Sequence, residues 1–106
     1  ATREFLYVGD TVKAIIDAIG CNETGPFNLG TGTETSIKKL IETISNIIGY
    51  KGEIVWDVNR PDGQLKRFYD MNKFEKEFGY VPNTPLKKGL EKTIEWYLNN
   101  EDIIRL

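Results

Sequence analysis

The sequence predicts an α/β fold in which a few short strands alternate with about four helices. Four segments space their apolar residues as one face of a helix does, and three or four short runs are rich in β-branched and aromatic residues. Glycines follow several of these segments, where they are natural helix stops. This alternation is typical of α/β proteins, although so little sheet is small for a complete doubly wound domain. We expect one domain over residues 1–106.

The first element is a predicted strand over residues 4–8, EFLYV, because aromatic and branched side chains favour strands. Asp10 is expected to cap a helix over 11–19, which Gly20 ends. A short strand is predicted over 26–29. The apolar face of the helix consists of Val12, Ile15, Ile16 and Ile19.

A second helix is predicted over residues 36–48 and ends at Gly49. Its apolar stripe is expected to hold the fold by facing the strands 26–29 and 53–58. The residues expected to face these strands are Leu40, Ile41, Ile44 and Ile48, and Ile37 and Ile47 complete the stripe.

The second half contains the strongest turn signal of the chain, NRPDGQ over residues 59–64. Asp70 is expected to cap a short helix that Gly79 closes, and Pro85 to lie in the first turn of a last helix ending near Asn99. The expected inward residues of these two helices are Phe74, Phe78, Leu90, Ile94, Tyr97 and Leu98.

Composition excludes several classes of function. A net charge of −2 gives no basic patch of the kind that nucleic acid requires, and the apolar runs are too short to span a membrane. The single cysteine, Cys21, allows no internal disulfide, which fits a cytoplasmic protein. The chain has no histidine, so the commonest general base and metal ligand is absent, and we expect no metal site.

The stretch NLGTGTETS, residues 28–36, resembles a phosphate-binding loop because two glycines follow an apolar run. A dinucleotide fingerprint has the form G-x-G-x-x-G. Gly30 and Gly32 match its first two glycines, but Thr35 stands at the position of the third. Asp57 lies 25 positions beyond Gly32, late for a ribose-binding acid. We therefore favour a tight turn whose Thr35 or Ser36 hydroxyl caps the next helix, and phosphate binding stays open as the alternative.

Tyr69 and Lys73 have the Tyr-x-x-x-Lys spacing of a dehydrogenase active site, in which both residues share one helix face. Because Asp70 is expected to cap the helix, Tyr69 would precede it. We interpret the pair as a half-buried tyrosine and a surface lysine.

Four segments in order carry a resemblance to a known family: REFLYVGD, PFNLGTGTETSIKKL, GYKGEIVWDVNRPDGQLKRFYD and FGYVPNTPLKKGLEKTIEWYL. Together they resemble the C-terminal part of extended short-chain dehydrogenase/reductases, the NAD-dependent nucleotide-sugar epimerases and dehydratases. The third segment is most similar to the GDP-L-fucose synthase branch. The resemblance implies a small substrate-binding domain with the Rossmann half missing.

In such an enzyme, NAD(P) and the catalytic serine, tyrosine and lysine belong to the part upstream, so the resemblance implies no catalytic or cofactor-binding residue here. The implied partners are a nucleotide-diphosphate sugar and the missing Rossmann half. A homodimer of the full-length enzyme is left open. The 106-residue fragment alone is expected to be inactive.

The resemblance carries three residues over as substrate ligands. Arg3 and Arg60 match residues that contact the nucleotide diphosphate, which suits the forked guanidinium group. Asp62 matches an acid near the hydroxyls of ribose or sugar. This chain reads R-P-D-G where many relatives read R-x-G-D, and Gly9 replaces one acid of the relatives. We expect Arg3 and Arg60 to form one diphosphate clamp.

Three alternatives remain open at this point. The chain could be a stand-alone α/β binding or interaction module without catalysis, or a fragment of a UDP-sugar 4-epimerase or sugar-nucleotide dehydratase. It could also be a small complete dinucleotide-binding enzyme, if the glycine turn and the Tyr69–Lys73 pair were functional. Sequence alone leaves open the base, the sugar and the choice between NAD and NADP.

Overall fold

A computed structural model describes residues 2–21, 25–57 and 69–104. This part of the chain contains one two-stranded sheet and four helices, in agreement with the predicted α/β class. In chain order the elements are β1 (Thr2–Arg3), α1 (Val8–Ile19), β2 (Thr35–Ser36), α2 (Ile37–Ile48), α3 (Asn72–Phe78) and α4 (Leu86–Asn99).

The sheet pairs the start of the chain with the residues just before α2. Strands β1 and β2 are antiparallel, with Thr2 opposite Ser36 and Arg3 opposite Thr35. The predicted strand over 4–8 is wrong, because β1 ends at Arg3 and α1 already begins at Val8. Helical hydrogen bonding overrides the strand preference here, since the carbonyl of Tyr7 accepts from the Asp10 and Thr11 amides at 3.0 and 3.2 Å.

The strand predicted over residues 26–29 is also wrong, and so is the described part, 53–57, of the strand predicted over 53–58. A strand requires a hydrogen-bonded neighbour, and within the described ranges only β1 and β2 pair. The branched and aromatic composition of 53–57 reflects a preference for half-buried pleated surfaces, whereas Val55 is 80% exposed.

The predictions for the middle helices are largely confirmed because their signals are local. The Ser36 hydroxyl caps α2 by accepting from the Lys39 amide at 3.0 Å, and Gly49 ends the helix with a φ of 72°. Gly79 ends α3 in the same left-handed conformation. Asp70 lies one residue outside the cap position, yet its carboxylate accepts from the first helical amide, that of Asn72, at 2.9 Å.

The best-buried hydrophobic residues lie on α1, on α3 and directly before α3 rather than on α2. Ala14, Met71 and Phe74 are buried. Around them pack the half-buried residues Phe27, Leu29, Phe78, Tyr80 and Val81.

The prediction that the stripe of α2 forms the core is therefore wrong, and neither strand that it was predicted to face is formed within the described residues. α2 has no fully buried residue, and it packs against α4 and follows β2. Leu40, Ile41 and Ile44 are half-buried, whereas Ile48 is 55% exposed. Tyr97 and Leu98 of α4, predicted to point inward, are also exposed.

Two carboxylates of α1 hold the loop between α3 and α4. Asp10 was predicted to cap α1, but its oxygens accept instead from the hydroxyl and amide of Thr84, at 2.8 and 3.2 Å. About two turns further on, the Asp17 carboxylate accepts from the Tyr80 hydroxyl at 2.7 Å and from Lys13 at 2.8 Å. These contacts fix the loop next to β1 and the site described below.

The apolar face predicted for α1 exists, but it is exposed. Ile16 is 62% and Ile19 80% exposed, and Val12 and Ile15 lie open beside them. The accessible surface of 8344 Å² exceeds the roughly 6000 Å² expected for a compact protein of this mass. The radius of gyration, 16.5 Å, likewise exceeds the expected value of about 13 Å.

Candidate functional site

Arg3 lies in β1, at the edge of the two-stranded sheet and opposite Thr35. Its side chain is half-buried, and its Nη1 atom donates to the Thr2 carbonyl at 2.6 Å. The pairing holds the backbone of Arg3 beside Thr35, and the bond to Thr2 restrains its guanidinium group. Arg60 and Asp62, the other predicted ligands, lie outside the described residues, so their roles and the Arg3–Arg60 clamp stay predictions.

The glycine turn between residues 30 and 33 binds a negative charge that the chain itself supplies. The Oε1 atom of Glu4 accepts from the amides of Thr31 and Gly32, at 2.7 and 2.5 Å, and from the Thr31 hydroxyl at 3.3 Å. Successive backbone N–H groups that converge in this way form a small anion site. In this structure a carboxylate occupies it.

The two glycines are required by the same arrangement. A Cβ atom on Gly30 would come within 2.8 Å of Glu4 Oε1 and 3.1 Å of the Tyr69 ring. Gly32 has a φ of 72°, a left-handed conformation in which other residues are strained. The motif that resembled a nucleotide loop is therefore explained by the approach of Glu4. These residues do not fit a dinucleotide pyrophosphate, because the donors that would hold it are already engaged.

The other oxygen of Glu4 reaches a third segment of the chain. Glu4 Oε2 accepts from the backbone amide of Tyr69. Tyr69 precedes α3, as predicted, and Lys73 lies inside it. The Lys73 ammonium donates to the Pro26 carbonyl at 3.0 Å and lies 4.5 Å from the centre of the Phe27 ring. Tyr69 and Lys73 thus do not share one helix face.

A cavity of about 180 Å³ with a mixed polar and apolar lining adjoins the sheet and the turn. Phe5 and Pro85 contribute apolar walls. The rest of the lining carries hydroxyl and amide groups. These groups can both donate and accept hydrogen bonds, which suits the hydroxyls of a ribose or a sugar. The polar residues that line the cavity are Thr31, Thr33, Thr35, Asn83 and Thr84.

Sequence reasoning missed both Glu4 and this cavity. The threonines gave a signal, since the turn TGTETS carries hydroxyl residues at alternate positions that precede a helix. Glu4 gave a weaker signal, a carboxylate directly after Arg3 within an apolar segment. The convergence of Glu4, Thr31 and Tyr69 depends on contacts between residues 27 and 65 positions apart, which local patterns do not reveal.

A separate cluster on the surface perturbs three titratable groups. Hydrogen bonds from Lys13 and then Tyr80 lower the pKa of Asp17, and the bond to Asp17 raises the pKa of Lys13. Burial, followed by the bond to Asp17, raises the pKa of Tyr80. The Lys13 ammonium also lies 3.9 Å from the centre of the Tyr80 ring. The cluster joins α1 to the loop between α3 and α4, so we assign it a stabilising role.

Cys21 and possible metal ligands add no further site. The Cys21 thiol donates to the Glu77 carboxylate at 3.3 Å, consistent with an ordinary thiol. Over the described ranges, no group of three acidic, cysteine or histidine side chains could hold a metal ion. In the same ranges, each helix is too short or too polar to cross a bilayer.

No family model matches the chain. Among curated proteins, the chain is 38% identical over 99 residues to a probable GDP-L-fucose synthase 1 of Oryza sativa subsp. japonica, a match that covers 92% of this chain and 30% of that protein. It is 39% identical over 100 residues to a putative UDP-glucose 4-epimerase of Methanocaldococcus jannaschii, covering 93% and 32%. The chain thus spans about a third of the length of the curated relatives it matches.

Solved structures give the same result. A GDP-L-fucose synthetase from Naegleria fowleri bound to NADP superposes with a TM-score of 0.92 at 26% identity, over 99% of this chain and 34% of that one. The Bordetella bronchiseptica enzyme WbmF, in complex with NAD+ and UDP, gives a TM-score of 0.83 at 34% identity, over 97% and 31%. These matches confirm the resemblance: the chain is homologous to the C-terminal part of extended short-chain dehydrogenase/reductases, with GDP-L-fucose synthases and UDP-glucose 4-epimerases as its relatives.

Proposed function

We propose that the chain is the nucleotide-sugar-binding part of a longer, NAD(P)-dependent nucleotide-diphosphate-sugar epimerase/reductase that resembles GDP-L-fucose synthase. The observation that carries the proposal is the pattern of matches, which cover nearly all of this chain but about a third of each relative. The proposed substrate is a nucleotide-diphosphate sugar, in line with relatives named for GDP-L-fucose and UDP-glucose. A solved relative also contains UDP.

The exposed face of α1 supports a larger assembly. A row of Val12, Ile15, Ile16 and Ile19 is too apolar to be an ordinary solvent face. The Thr2 hydroxyl oxygen is buried without a hydrogen-bond partner among the described residues, a state that costs free energy. Each feature is accounted for if another part of the longer protein covers it.

Within this enzyme, Arg3 would bind the diphosphate. A guanidinium presents two parallel N–H donors to phosphate oxygens, and its charge is kept at every physiological pH. The resemblance assigns Arg60 to the same diphosphate and Asp62 to hydroxyls of the ribose or sugar. The threonine-lined cavity includes Thr35, which lies opposite Arg3 in the sheet, and it suits the same hydroxyl-rich ligand.

The nicotinamide cofactor would bind outside this chain. The glycine turn does not fit it, since Glu4 occupies the converging amides of Thr31 and Gly32. When bound in the rest of the enzyme, the cofactor supplies hydride transfer. The role of this chain is to bind and orient the nucleotide-diphosphate part of the substrate. Dimerisation and a cytoplasmic location remain predictions.

The test is titration calorimetry of the longer enzyme with UDP, GDP and NADPH. Arg3→Ala should weaken binding of the preferred nucleoside diphosphate by about 1.5–3 kcal/mol, the range for a charge-assisted hydrogen bond, and leave NADPH affinity unchanged. Arg3→Lys keeps the charge but loses the fork, so it should restore only part of the loss. Lys38→Ala, at an exposed position of α2, is the matched control.

Two results would contradict the proposal. One is unchanged affinity for both nucleoside diphosphates after Arg3→Ala. The other is micromolar binding of NADPH to the 106-residue chain by itself, which would favour a small complete dinucleotide-binding enzyme. A stand-alone binding module is distinguished by gene sequence, because it predicts no glycine-rich βαβ unit encoded upstream of Ala1.

A further inference from the structure

We propose that Glu4 is a positioning residue for the nucleotide-diphosphate site. By this proposal, its carboxylate fixes the end of β1 against the glycine turn and the backbone before α3, and so sets the position of the Arg3 guanidinium group on the opposite side of the strand. The inference rests on the proposed function and concerns a residue that makes no contact with the substrate itself.

The contacts of Glu4 join three distant parts of the chain. Its first oxygen accepts from Thr31 and Gly32, which are 27 and 28 positions away, and its second oxygen accepts from the amide of Tyr69, 65 positions away. A carboxylate is the side chain best suited to this task, because it accepts on both oxygens and strengthens each bond by its charge. One side chain therefore sets the relative position of β1, the turn and the start of α3.

The direction of Arg3 follows from its place next to Glu4. Adjacent side chains of an extended segment point to opposite sides, so a fixed Glu4 places the Arg3 side chain on the other side of β1. β1 itself pairs over only two residues, Thr2 and Arg3, with β2. Pairing over two residues restrains the position of β1 only weakly. The hydrogen bonds of Glu4 provide the additional restraint.

The same arrangement keeps the charge of Arg3 available. A glutamate beside an arginine would otherwise be a ready ion-pair partner, but the oxygens of Glu4 are engaged by backbone amides. Among the described residues, the ion pair within 4.0 Å is Lys13–Asp17, and it does not involve Arg3. The guanidinium group is thus held in place without being neutralised by Glu4, as a phosphate ligand requires.

The test measures UDP and GDP affinity in the longer enzyme that the proposed function requires. Glu4→Gln keeps the shape, but its amide nitrogen would face a backbone N–H donor and the charge is lost. Gly30→Ala perturbs the same contact differently, because its new methyl group would lie 2.8 Å from Glu4 Oε1. Glu91→Gln, at an exposed position of α4, is the matched control.

We expect Glu4→Gln and Gly30→Ala each to weaken binding of the preferred nucleoside diphosphate by about 10- to 100-fold, the range for loss of a charge-assisted bond. NADPH affinity should stay within about twofold of the parent. In the background of Arg3→Ala, Glu4→Gln should cause no further loss, because the two residues would act as one unit. A purely structural role would not produce this non-additivity.

Three outcomes would overturn the proposal. The first is a Glu4→Gln enzyme with unchanged nucleoside diphosphate affinity, and the second is an additive loss in the double variant. The third is failure of both single variants to bind NADPH, which would make Glu4 a residue of the fold alone. If the parent enzyme binds neither UDP nor GDP, the proposed function fails instead, so the two failures are distinguishable.

Discussion

Phe74 provides the sharpest test of where the core lies. Its side chain is 3% exposed and packs between two other rings, at 4.7 Å from the centre of Phe78 and 5.3 Å from that of Tyr80. The sequence instead favoured the stripe of α2, represented by Ile44. Truncating each residue to alanine therefore distinguishes the core predicted from the sequence from the core in the structure.

The magnitudes differ because the burial differs. Phenylalanine-to-alanine substitutions at buried positions cost about 3–5 kcal/mol, from lost transfer free energy and the remaining cavity. For Phe74 this figure includes loss of the tilted contact with Phe78 and the edge-to-face contact with Tyr80. Ile44 is only half-buried, so its truncation should cost about 1–2 kcal/mol, below the range of about 2–5 for full burial.

The assay is urea unfolding of the 106-residue chain, followed by circular dichroism and by tryptophan fluorescence. Ile48→Ala is the control, since Ile48 is 55% exposed and its loss should stay near 0.5 kcal/mol. If the stability of the chain is at the low end of the usual range of about 5–15 kcal/mol, a loss of this size leaves Phe74→Ala partly unfolded before urea is added. Phe74→Leu, which keeps much of the apolar volume, then provides a measurable midpoint.

The reasoning would be refuted by a reversed order. If Ile44→Ala destabilised the chain more than Phe74→Ala, the stripe of α2 would be the core and the cluster on α3 peripheral. A loss under about 1 kcal/mol for Phe74→Ala would also contradict its burial. Surface substitutions usually change the free energy of unfolding by no more than about 0.5 kcal/mol, so a loss this small would be typical of an exposed side chain.

Two further predictions concern α1. The lowered pKa of Asp17 means that its stabilising contribution is present above the unfolded value of about 3.9 and is lost as the pH falls through the folded value. The midpoint of unfolding should therefore fall less steeply at acid pH in Asp17→Asn than in the parent chain. An unchanged pH dependence would contradict the role of the cluster with Lys13 and Tyr80. Separately, Ile16→Lys should reduce self-association of the 106-residue chain in sedimentation velocity, because Ile16 is in the exposed apolar face. Equal association of both proteins would count against this face.

Helices were predictable from the sequence because their signals are local. The spacing of isoleucines in α2, the Ser36 cap and the terminal Gly49 all lie within fourteen consecutive residues, and each has the predicted role. Strands were not predictable to the same degree, because a strand exists only with a partner. The composition of 53–57 favours a strand, yet the structure provides no paired neighbour there.

The sequence predicted which residues form an apolar face, but not which other residues that face contacts. Helical spacing identifies an apolar face, but it does not say what the face meets. The faces of α1 and α2 have similar patterns, yet α2 packs against α4 while the face of α1 lies open. The difference is explained if the surface that α1 requires belongs to a part of the protein outside this chain.

The glycine turn shows why the candidate site was predicted only in part. Its sequence indicates a concave row of amide donors, and such a row requires an anion because buried donors without acceptors cost free energy. A sequence motif suggests an external anion, a phosphate, since the known motifs of this kind bind one. Here the anion is Glu4, a residue 27 positions earlier, whose contact with the turn depends on the pairing of β1 with β2. On the proposed function, the turn would contribute to substrate binding through the position it gives to Arg3, and not by holding a phosphate itself.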